Sequence, residues 1–205
     1  STSFVGLLVA FAGMFLFRLR GHLKALRLAF VASMLGLAVI MDNPIWHLVT
    51  RIDLRGGSTG WHRFRLIDSA IRNFDEWWFM GLADIQHWNI WASDVTNQYV
   101  LEGLRGGIFA LGALIAMIAV SFGSIGTAMR SPTISGDDAW LLWALGVSVG
   151  VHSMNFIGVS YFGQAIFGWY LSLALVASAS QHVIGEYRGL GISKRVVSTN
   201  RELPA

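Results

Sequence analysis

Residues 99–121 read YVLEGLRGGIFALGALIAMIAVS, and this stretch decides the class of fold. Only Glu102 and Arg105 are charged, and the stretch has about the ~20 residues that a helix needs to cross a bilayer. Because lipid cannot satisfy open backbone groups, a helix is the expected conformation. Glycine and alanine recur in it, which suits close contact between membrane helices. The stretch therefore predicts a transmembrane helix.

The rest of the chain predicts a membrane protein with several spans. Of its 205 residues, 54% are hydrophobic and 13% are charged, against about 25% charged in soluble domains. Apolar runs at about 3–17, 28–42, 139–158 and 163–182 bring the number of predicted spans to five. The predicted fold is all-α, a polytopic transmembrane helical bundle with a large loop after the second span. No basic residues precede the first run, so it does not read as a signal peptide, and we expect the chain to be a fragment of a longer protein.

Basic residues fix the predicted orientation. Residues 18–27 hold four Lys or Arg and no acid, residues 183–205 hold four, and residues 122–138 hold one. With five spans these segments share one side, which the positive-inside rule makes cytoplasmic. Residues 43–98 then form a periplasmic loop, and 183–205 form a cytoplasmic tail. The net charge of +3 is split between short segments without a basic stripe, so nucleic acid is not an expected partner.

An amphipathic helix is predicted within the loop, at about residues 62–80. Its apolar side chains recur at steps of three and four residues: Phe64, Ile67, Ile71, Phe74 and Trp78. A second face carries charges at pairing distance: Arg65, Asp68, Arg72 and Glu76. We expect the helix to lie along the membrane surface with its stripe of apolar side chains facing the bilayer. The expected interfacial belt, with stacking on sugar rings as the alternative, comprises Trp46, Trp61, Trp77, Trp78, Trp88 and Trp91.

The loop has five arginines and no lysine, which favours an anionic ligand. A guanidinium group binds phosphate or carboxylate through two parallel hydrogen bonds. Arg63 has no acid three or four residues further on and follows a Gly-rich turn, so we expect an external anion there. Arg72 has Asp68 and Glu76 four residues away on either side, so an internal Arg–Asp ladder is equally expected for it.

A second cluster of polar residues lies where the third span begins. Asp94 or Thr96 is expected to cap the helix, and Glu102 is expected to pair with Arg105. Charges inside a span are functional candidates by default, and Arg105 lies within reach of an anionic headgroup. His152 in the fourth span is expected to make an ordinary polar contact between helices. The loop histidines lack the spacing of a zinc site, and the chain has no cysteine, so no metal site is predicted.

Three motifs follow one another: GSTGWHRFRLIDSAI at 57–71, EWWFMG at 76–81 and DVTNQYVLEGLRGGIFALG at 94–112. In their order and spacing the chain resembles the C-terminal half of the O-antigen ligase/polymerase superfamily, over about residues 45–182. These are multi-span glycosyltransferases that use undecaprenyl-diphosphate-linked glycans. Arg63 matches the arginine of the family's outer loop, Asn97 matches the second residue of the polar pair that opens the next span, and Gly107 matches a glycine further along. Lipid A–core ligases usually carry histidine first in that pair, where this chain has Thr96, so the resemblance favours a polymerase.

The resemblance implies a GT-C-like fold in the bacterial inner membrane. It implies a glycosyl transfer without metal or cofactor on the periplasmic face, in O-antigen or exopolysaccharide synthesis. The leaving group would be undecaprenyl diphosphate, and the acceptor would be a hydroxyl on another lipid-linked glycan. Expected partners are that glycan, the lipid bilayer, and a chain-length regulator or other polysaccharide assembly proteins. The alternatives are an O-antigen ligase, a transporter or flippase for the same lipid-linked sugars, and a non-catalytic assembly partner.

The predicted site combines the arginines of the loop with the cluster of polar residues at the start of the third span. Arg63, with Arg65 or Arg72, would stabilise the departing diphosphate. Asp94 or His62 would act as the base or orienting acceptor. Asn97 would orient a sugar or a loop carbonyl. The full prediction has Arg63, Asp94 and His62 as catalytic residues and Arg65, Arg72, Thr96, Asn97 and Arg105 as substrate-binding residues.

Overall fold

The computed structural model of the protein describes residues 2–22, 59–88, 95–132 and 134–201, with isolated positions at 25, 28, 32, 33, 35 and 36. Over these residues the chain is helical and contains no strand, which confirms the all-α prediction. The helices are α1 (Thr2–Phe15), α2 (Thr59–Arg72), α3 (Phe74–Trp77), α4 (Gln98–Ala128), α5 (Gly136–Asn155) and α6 (Gln164–Arg201). Short 3₁₀ helices cover Leu16–His22 and Gln86–Trp88.

Two helical segments among the described residues are long and apolar enough to cross a membrane: Phe4–His22 and Gln98–Ala128. They correspond to the first and third predicted spans. Helices α5 and α6 match the fourth and fifth in position, but they are more polar, and α5 opens with Asp137 and Asp138. The predicted second span, 28–42, lies largely outside the described residues, as does the loop up to residue 58.

The main core lies between α4, α5 and α6. It contains Leu114, Ile125, Leu142, Val149, Phe156, Tyr161, Trp169 and Val176. The ring of Phe156 packs edge-on against Tyr161 and Trp169, with centroids 4.7 and 5.1 Å apart. Close van der Waals packing of these side chains holds the three helices together, as it does between helices in a membrane.

Helix α1 packs antiparallel on α5. The Trp143 indole donates to the carbonyl oxygen of Gly13 at 2.8 Å, while a Cβ on Gly6 would lie 2.6 Å from Oδ1 of Asn155. The bundle therefore has two distinct ends. One, the α2 end, holds Asn97 and residues 156–161, and the opposite end holds residues 16–22 and 129–132.

The predicted tail is helical where the structure describes it. Helix α6 continues through residue 201, so it extends past the predicted fifth span, which ends at about residue 182, into the predicted cytoplasmic tail. The physical reason is that no proline interrupts the segment before Pro204, and a proline is the residue that breaks a helix most strongly.

The predicted amphipathic helix is two helices. Helix α2 begins at Thr59, earlier than predicted, and ends before Asn73, whose side-chain amide donates to the carbonyl oxygen of Ser69 at 2.9 Å. Helix α3 is a single turn that follows at once. The prediction of one helix over 62–80 is therefore wrong at Asn73, because this side chain competes for a backbone group of the preceding turn.

A different face from the predicted stripe packs against the protein. Leu66, Ala70 and Trp77 are buried with Leu104 of α4, and the Trp77 indole donates to the carbonyl oxygen of Ala70 at 2.7 Å. The predicted stripe stays largely at the surface, with Ile71, Phe74 and Trp78 exposed.

The predicted tryptophan belt is correct only in part. Trp61 and Trp78 are exposed, whereas Trp77 and Trp88 are core residues at 7% exposure. Both residues can be buried because each indole N–H donates a hydrogen bond, from Trp77 to Ala70 and from Trp88 to Glu76. The positions of the tryptophans in the sequence do not predict these acceptors. Trp46 and Trp91 lie outside the described residues.

Candidate functional site

Helix α4 is broken at Gly106 and Gly107. Gly107 adopts φ 64° and ψ −157°, a left-handed backbone conformation that glycine adopts without steric penalty. In an unbroken helix the N–H of Ile108 would donate to the carbonyl oxygen of Leu104. Here it donates to the carbonyl oxygen of Trp78 at 2.7 Å, and the Leu104 oxygen accepts from Leu82 N at 2.7 Å.

Residues 78–82, the bridging loop, therefore supply the hydrogen bonds that the helix loses at its break. Glycines allow this close approach of two backbones. A Cβ on Gly107 would lie 2.7 Å from the Trp78 oxygen, and one on Gly81, at φ 82°, would overlap the Leu104 oxygen. A Cβ on Gly103 would lie 2.7 Å from the ring of Trp77. The break is thus a packed and specific feature of the fold.

A cavity of about 800 Å³ lies beside the break. It is lined by residues 80–86, Val95, Leu101, Leu104 and Arg105. Its volume falls within the range of about 300–1,000 Å³ that is usual for small-ligand sites. Most of the lining is apolar, so the Arg105 cation and the Asp84 carboxylate are the features that would give a ligand its orientation.

Arg105 keeps most of its hydrogen-bonding capacity. Its Nη1 lies 3.4 Å from Oε1 of Glu102, which confirms the predicted pair. The same carboxylate oxygen accepts from Nε2 of Gln98 at the shorter distance of 2.7 Å. Because a guanidinium carries five N–H donors and this side chain is 56% exposed, Arg105 has donors left for an anion in the cavity.

Asn97, rather than Asp94 or Thr96, caps α4. Its side-chain oxygen accepts from Val100 N at 3.0 Å, and its amide nitrogen donates to the carbonyl oxygen of Ile157 at 3.0 Å. The side chain is 3% exposed. Its amide therefore orients a loop carbonyl, the second of the two predicted roles. The expected cap at Asp94 or Thr96 is wrong for this helix start; Asp94 itself lies outside the described residues.

Two other predicted site residues hold polar atoms that the protein leaves unpaired. Nε2 of His62 and Oγ1 of Thr96 are buried and have no hydrogen-bond partner among the described residues. An unpaired buried polar group costs about 1–3 kcal/mol, so such atoms in native proteins call for an explanation. Both atoms therefore keep unused hydrogen-bonding capacity inside the fold.

The arginines of α2 differ in their surroundings. Arg72 Nε lies 2.7 Å from Asp68 Oδ2, so the internal ladder is present at this residue, although the Arg72 side chain is 77% exposed. Arg65 is exposed. Arg63 is half-buried and forms no ion pair with any residue that the structure describes. A guanidinium group without an ion-pair partner is what we expect of a residue that binds an external anion, and Arg63 meets this expectation.

Glu76 does not pair with Arg72. Its Oε2 accepts from Nε1 of Trp88 at 2.9 Å and lies 2.6 Å from Nε2 of His87. The hydrogen bond from Trp88, followed by that from His87, lowers the pKa of Glu76 below its ordinary value. These contacts hold the 3₁₀ turn of residues 86–88 against α3 and so shape one wall of the cavity.

His152 makes the polar contact between helices that the sequence predicted. Its Nδ1 lies 2.8 Å from the Tyr161 hydroxyl and its Nε2 lies 3.2 Å from Oγ of Ser172. Within the described part of the chain, no group of three His, Asp or Glu side chains is arranged to hold a metal ion.

The structure adds features that the sequence reasoning missed. These are the break in α4, the cavity, and the role of Glu76. A signal for the break was present, because the Gly106–Gly107 pair interrupts an apolar run and such pairs mark irregular backbone. No sequence signal links Glu76 to Trp88, since the two residues meet only in the folded chain.

The predicted site residues fall into two groups at the α2 end. His62, Arg63, Arg65 and Arg72 lie on α2, and Thr96, Asn97 and Arg105 lie at the start of α4. The apolar cluster that contains Leu66 and Leu104 packs the two helices together. No protein-family model matches this chain, and neither a curated protein nor a solved structure matches it.

Proposed function

We propose that the protein is a membrane glycosyltransferase that polymerises or transfers undecaprenyl-diphosphate-linked oligosaccharides on the periplasmic face of the bacterial inner membrane. A polymerase of O-antigen or exopolysaccharide is favoured over a ligase by Thr96. The observation that carries the proposal is the cavity beside the break in α4, a helix of membrane-spanning length. Arg105 lines this cavity, which lies at the end of the bundle that holds α2 and its arginines.

The arrangement of the helices supports a periplasmic site. Residues 16–22, with Arg18 and Arg20, and residues 129–132, with Arg130, lie at the end opposite to α2, which agrees with the predicted five-span topology. The predicted second span lies between His22 and Thr59 in the sequence.

The chemistry needs a stabilised leaving group and an oriented acceptor. In this proposal the guanidinium of Arg63 stabilises charge on the departing diphosphate, with Arg65 or Arg72 beside it. Arg105 binds the anionic part of a ligand from within the cavity. His62 Nε2 or Asp94 accepts a hydrogen bond from the acceptor hydroxyl, and Thr96 Oγ1 helps to orient the sugar.

A transporter of the same lipid-linked sugars is the second candidate, because the break in α4 is a feature that transporters share. Their broken helices lie near the bilayer midplane. In α4 the break follows the first eight residues of 31, which is about 12 Å from the start of a helix that would span about 46 Å. A break this near one end favours a site at the membrane surface over a transport path through the middle.

The decisive experiment uses the purified protein in lipid nanodiscs with an undecaprenyl-diphosphate oligosaccharide and EDTA. We expect a ladder of longer lipid-linked glycans. Arg63→Ala should reduce its rate by about 10²–10³, the usual loss for one charge-stabilising donor. Arg130→Ala removes the same charge at the opposite end and should leave the ladder unchanged.

Other results would change the proposal in defined ways. An undiminished ladder in Arg63→Ala would remove that residue from the site. Lipid binding that depends on Arg105, without any ladder, would favour the transporter. A ladder that disappears only because EDTA is present would contradict the metal-independent mechanism.

A further inference from the structure

We infer that the bridging loop and the adjoining face of α3 are embedded in the acyl region of the outer leaflet. The surface concerned, the loop patch, consists of Phe74, Trp78, Phe79 and Met80. The inference requires that α4 crosses the membrane, and it does not depend on the proposed glycosyl transfer.

The loop patch is unusually apolar for a turn. Met80 is 77% exposed and Phe79 is 50% exposed, and Trp78 and Phe74 are exposed to nearly the same degree. Scattered exposed apolar residues are ordinary, but here four large ones occur within seven positions, and the rings of Trp78 and Phe79 lie 5.4 Å apart. An exposed apolar patch of this kind marks an interaction site. No charged residue occurs between Glu76 and Asp84, so the surface suits hydrocarbon rather than an ionic partner.

The loop patch is continuous with the surface of a candidate span. The ring of Phe79 lies 6.4 Å from that of Phe109, and Phe109 is itself 69% exposed. Phe109 belongs to α4, just beyond the break. If α4 crosses the bilayer, Phe109 faces lipid, and the loop residue in contact with it lies at the same depth.

Three backbone groups of the bridging loop also meet the requirement that lipid imposes. Polar backbone groups in hydrocarbon need protein partners. The Trp78 oxygen accepts from Ile108 N at 2.7 Å, Gly81 N donates to the Trp77 oxygen at 2.9 Å, and Leu82 N donates to the Leu104 oxygen at 2.7 Å. An ordinary surface turn would leave such groups to water. Here they are bonded to the span and to α3.

Lipid is therefore the occupant that fits the loop patch. The patch shares Met80 with the cavity, so in this inference one residue that lines the cavity lies beside the acyl chains.

The natural absence of cysteine gives a direct test. Met80→Cys is labelled with an environment-sensitive fluorophore in the full chain, reconstituted into phosphatidylglycerol/phosphatidylethanolamine vesicles. Asp75→Cys, an exposed position on α3, is the matched control, and Phe79→Cys is a second reporting position if Met80→Cys does not fold. Spin-labelled lipid should quench the fluorophore at residue 80 several-fold more than at residue 75. Aqueous iodide should show the reverse order.

Two outcomes would overturn the inference. Iodide quenching at residues 79 and 80 as strong as at residue 75 would place the loop patch in water. Protection from both quenchers would mean that protein covers it. Because the vesicles need no glycan, a failed ladder assay with a positive quenching result would refute the glycosyltransferase proposal alone.

Discussion

The N–H of Ile108 donates to the carbonyl oxygen of Trp78, 2.7 Å away and 30 residues earlier in the chain. This bond and its counterpart from Leu82 to Leu104 replace the helical bond that the break at Gly106–Gly107 removes. Helix α4 and the bridging loop are therefore one structural unit. A change at either side should affect the other, and the following predictions begin from this relationship.

Gly107→Ala should destabilise the protein by more than about 2 kcal/mol. A non-glycine residue in this left-handed conformation costs about 1–3 kcal/mol, and the new Cβ would lie 2.7 Å from the Trp78 oxygen. The measurement is the midpoint of thermal unfolding in detergent. Gly112→Ala is the control, because no atom lies within 4 Å of its Cβ position, and it should be neutral or stabilising by up to about 1 kcal/mol. Equal midpoints for the two variants would contradict the role given to Gly107.

Asn97→Ala should cost about 2–3 kcal/mol of unfolding free energy. The variant loses a helix cap, worth about 1 kcal/mol, and leaves the partly buried carbonyl of Ile157 without its donor. Ser135→Ala is a matched control, since Ser135 caps α5 through Asp138 N at 3.0 Å but is exposed. The Ser135 variant should lose less stability in denaturant titrations. A loss at Asn97 no larger than at Ser135 would show that the bond to Ile157 adds nothing.

Low pH should weaken the contact between Glu76 of α3 and the 3₁₀ turn of residues 86–88. The folded-state pKa of Glu76 is lowered, so its stabilising contribution is present above the ordinary value of 4.5 and is lost as the pH falls through the folded-state pKa. The Trp88 amide donates to the carbonyl oxygen of Ile85 within this turn, and its protection factor in hydrogen exchange should therefore fall below about pH 4.5. Glu76→Gln should remove this acid-dependent step, and Asp75→Asn should leave it intact. A step that survives in Glu76→Gln would assign it to another group.

Arg63→Ala and Arg72→Ala should both leave the melting temperature nearly unchanged. Arg72 loses only an exposed i,i+4 pair with Asp68, which is worth about 0.3–0.5 kcal/mol. Arg63 loses no ion pair within the described residues. A fall in glycan polymerisation in Arg63→Ala would then report on function rather than folding. A large drop in its melting temperature would contradict this and would assign Arg63 a structural role.

The sequence predicts the long helices well where hydrophobic length decides the outcome. Residues 99–121 fall inside α4, and the fourth and fifth apolar runs begin within a few residues of α5 and α6. Basic residues also predict which helix ends lie together, and the antiparallel contact of Gly13 with Trp143 agrees with that prediction.

Features decided by tertiary contacts were not predictable in this way. The interfacial preference of tryptophan assigns Trp77 and Trp78 equally to the predicted belt, yet only Trp77 finds an acceptor at Ala70 and a space beside Gly103. Asn97 becomes the cap because Ile157, sixty residues away, accepts its amide. The cavity depends on both Trp88 and the break in α4, and no local pattern brings these together.

The order of the chain gives the bridging loop an advantage during biosynthesis. Proteins are made from the N-terminus, so residues 78–82 leave the ribosome before α4 does. When the backbone of Gly106 and Gly107 enters a membrane, the groups that complete its hydrogen bonding have already been synthesised and need only to dock. A bridging segment placed after α4 would leave an open break in lipid until translation reached it. The order of synthesis, as well as packing, therefore supplies partners for the break in this candidate membrane span.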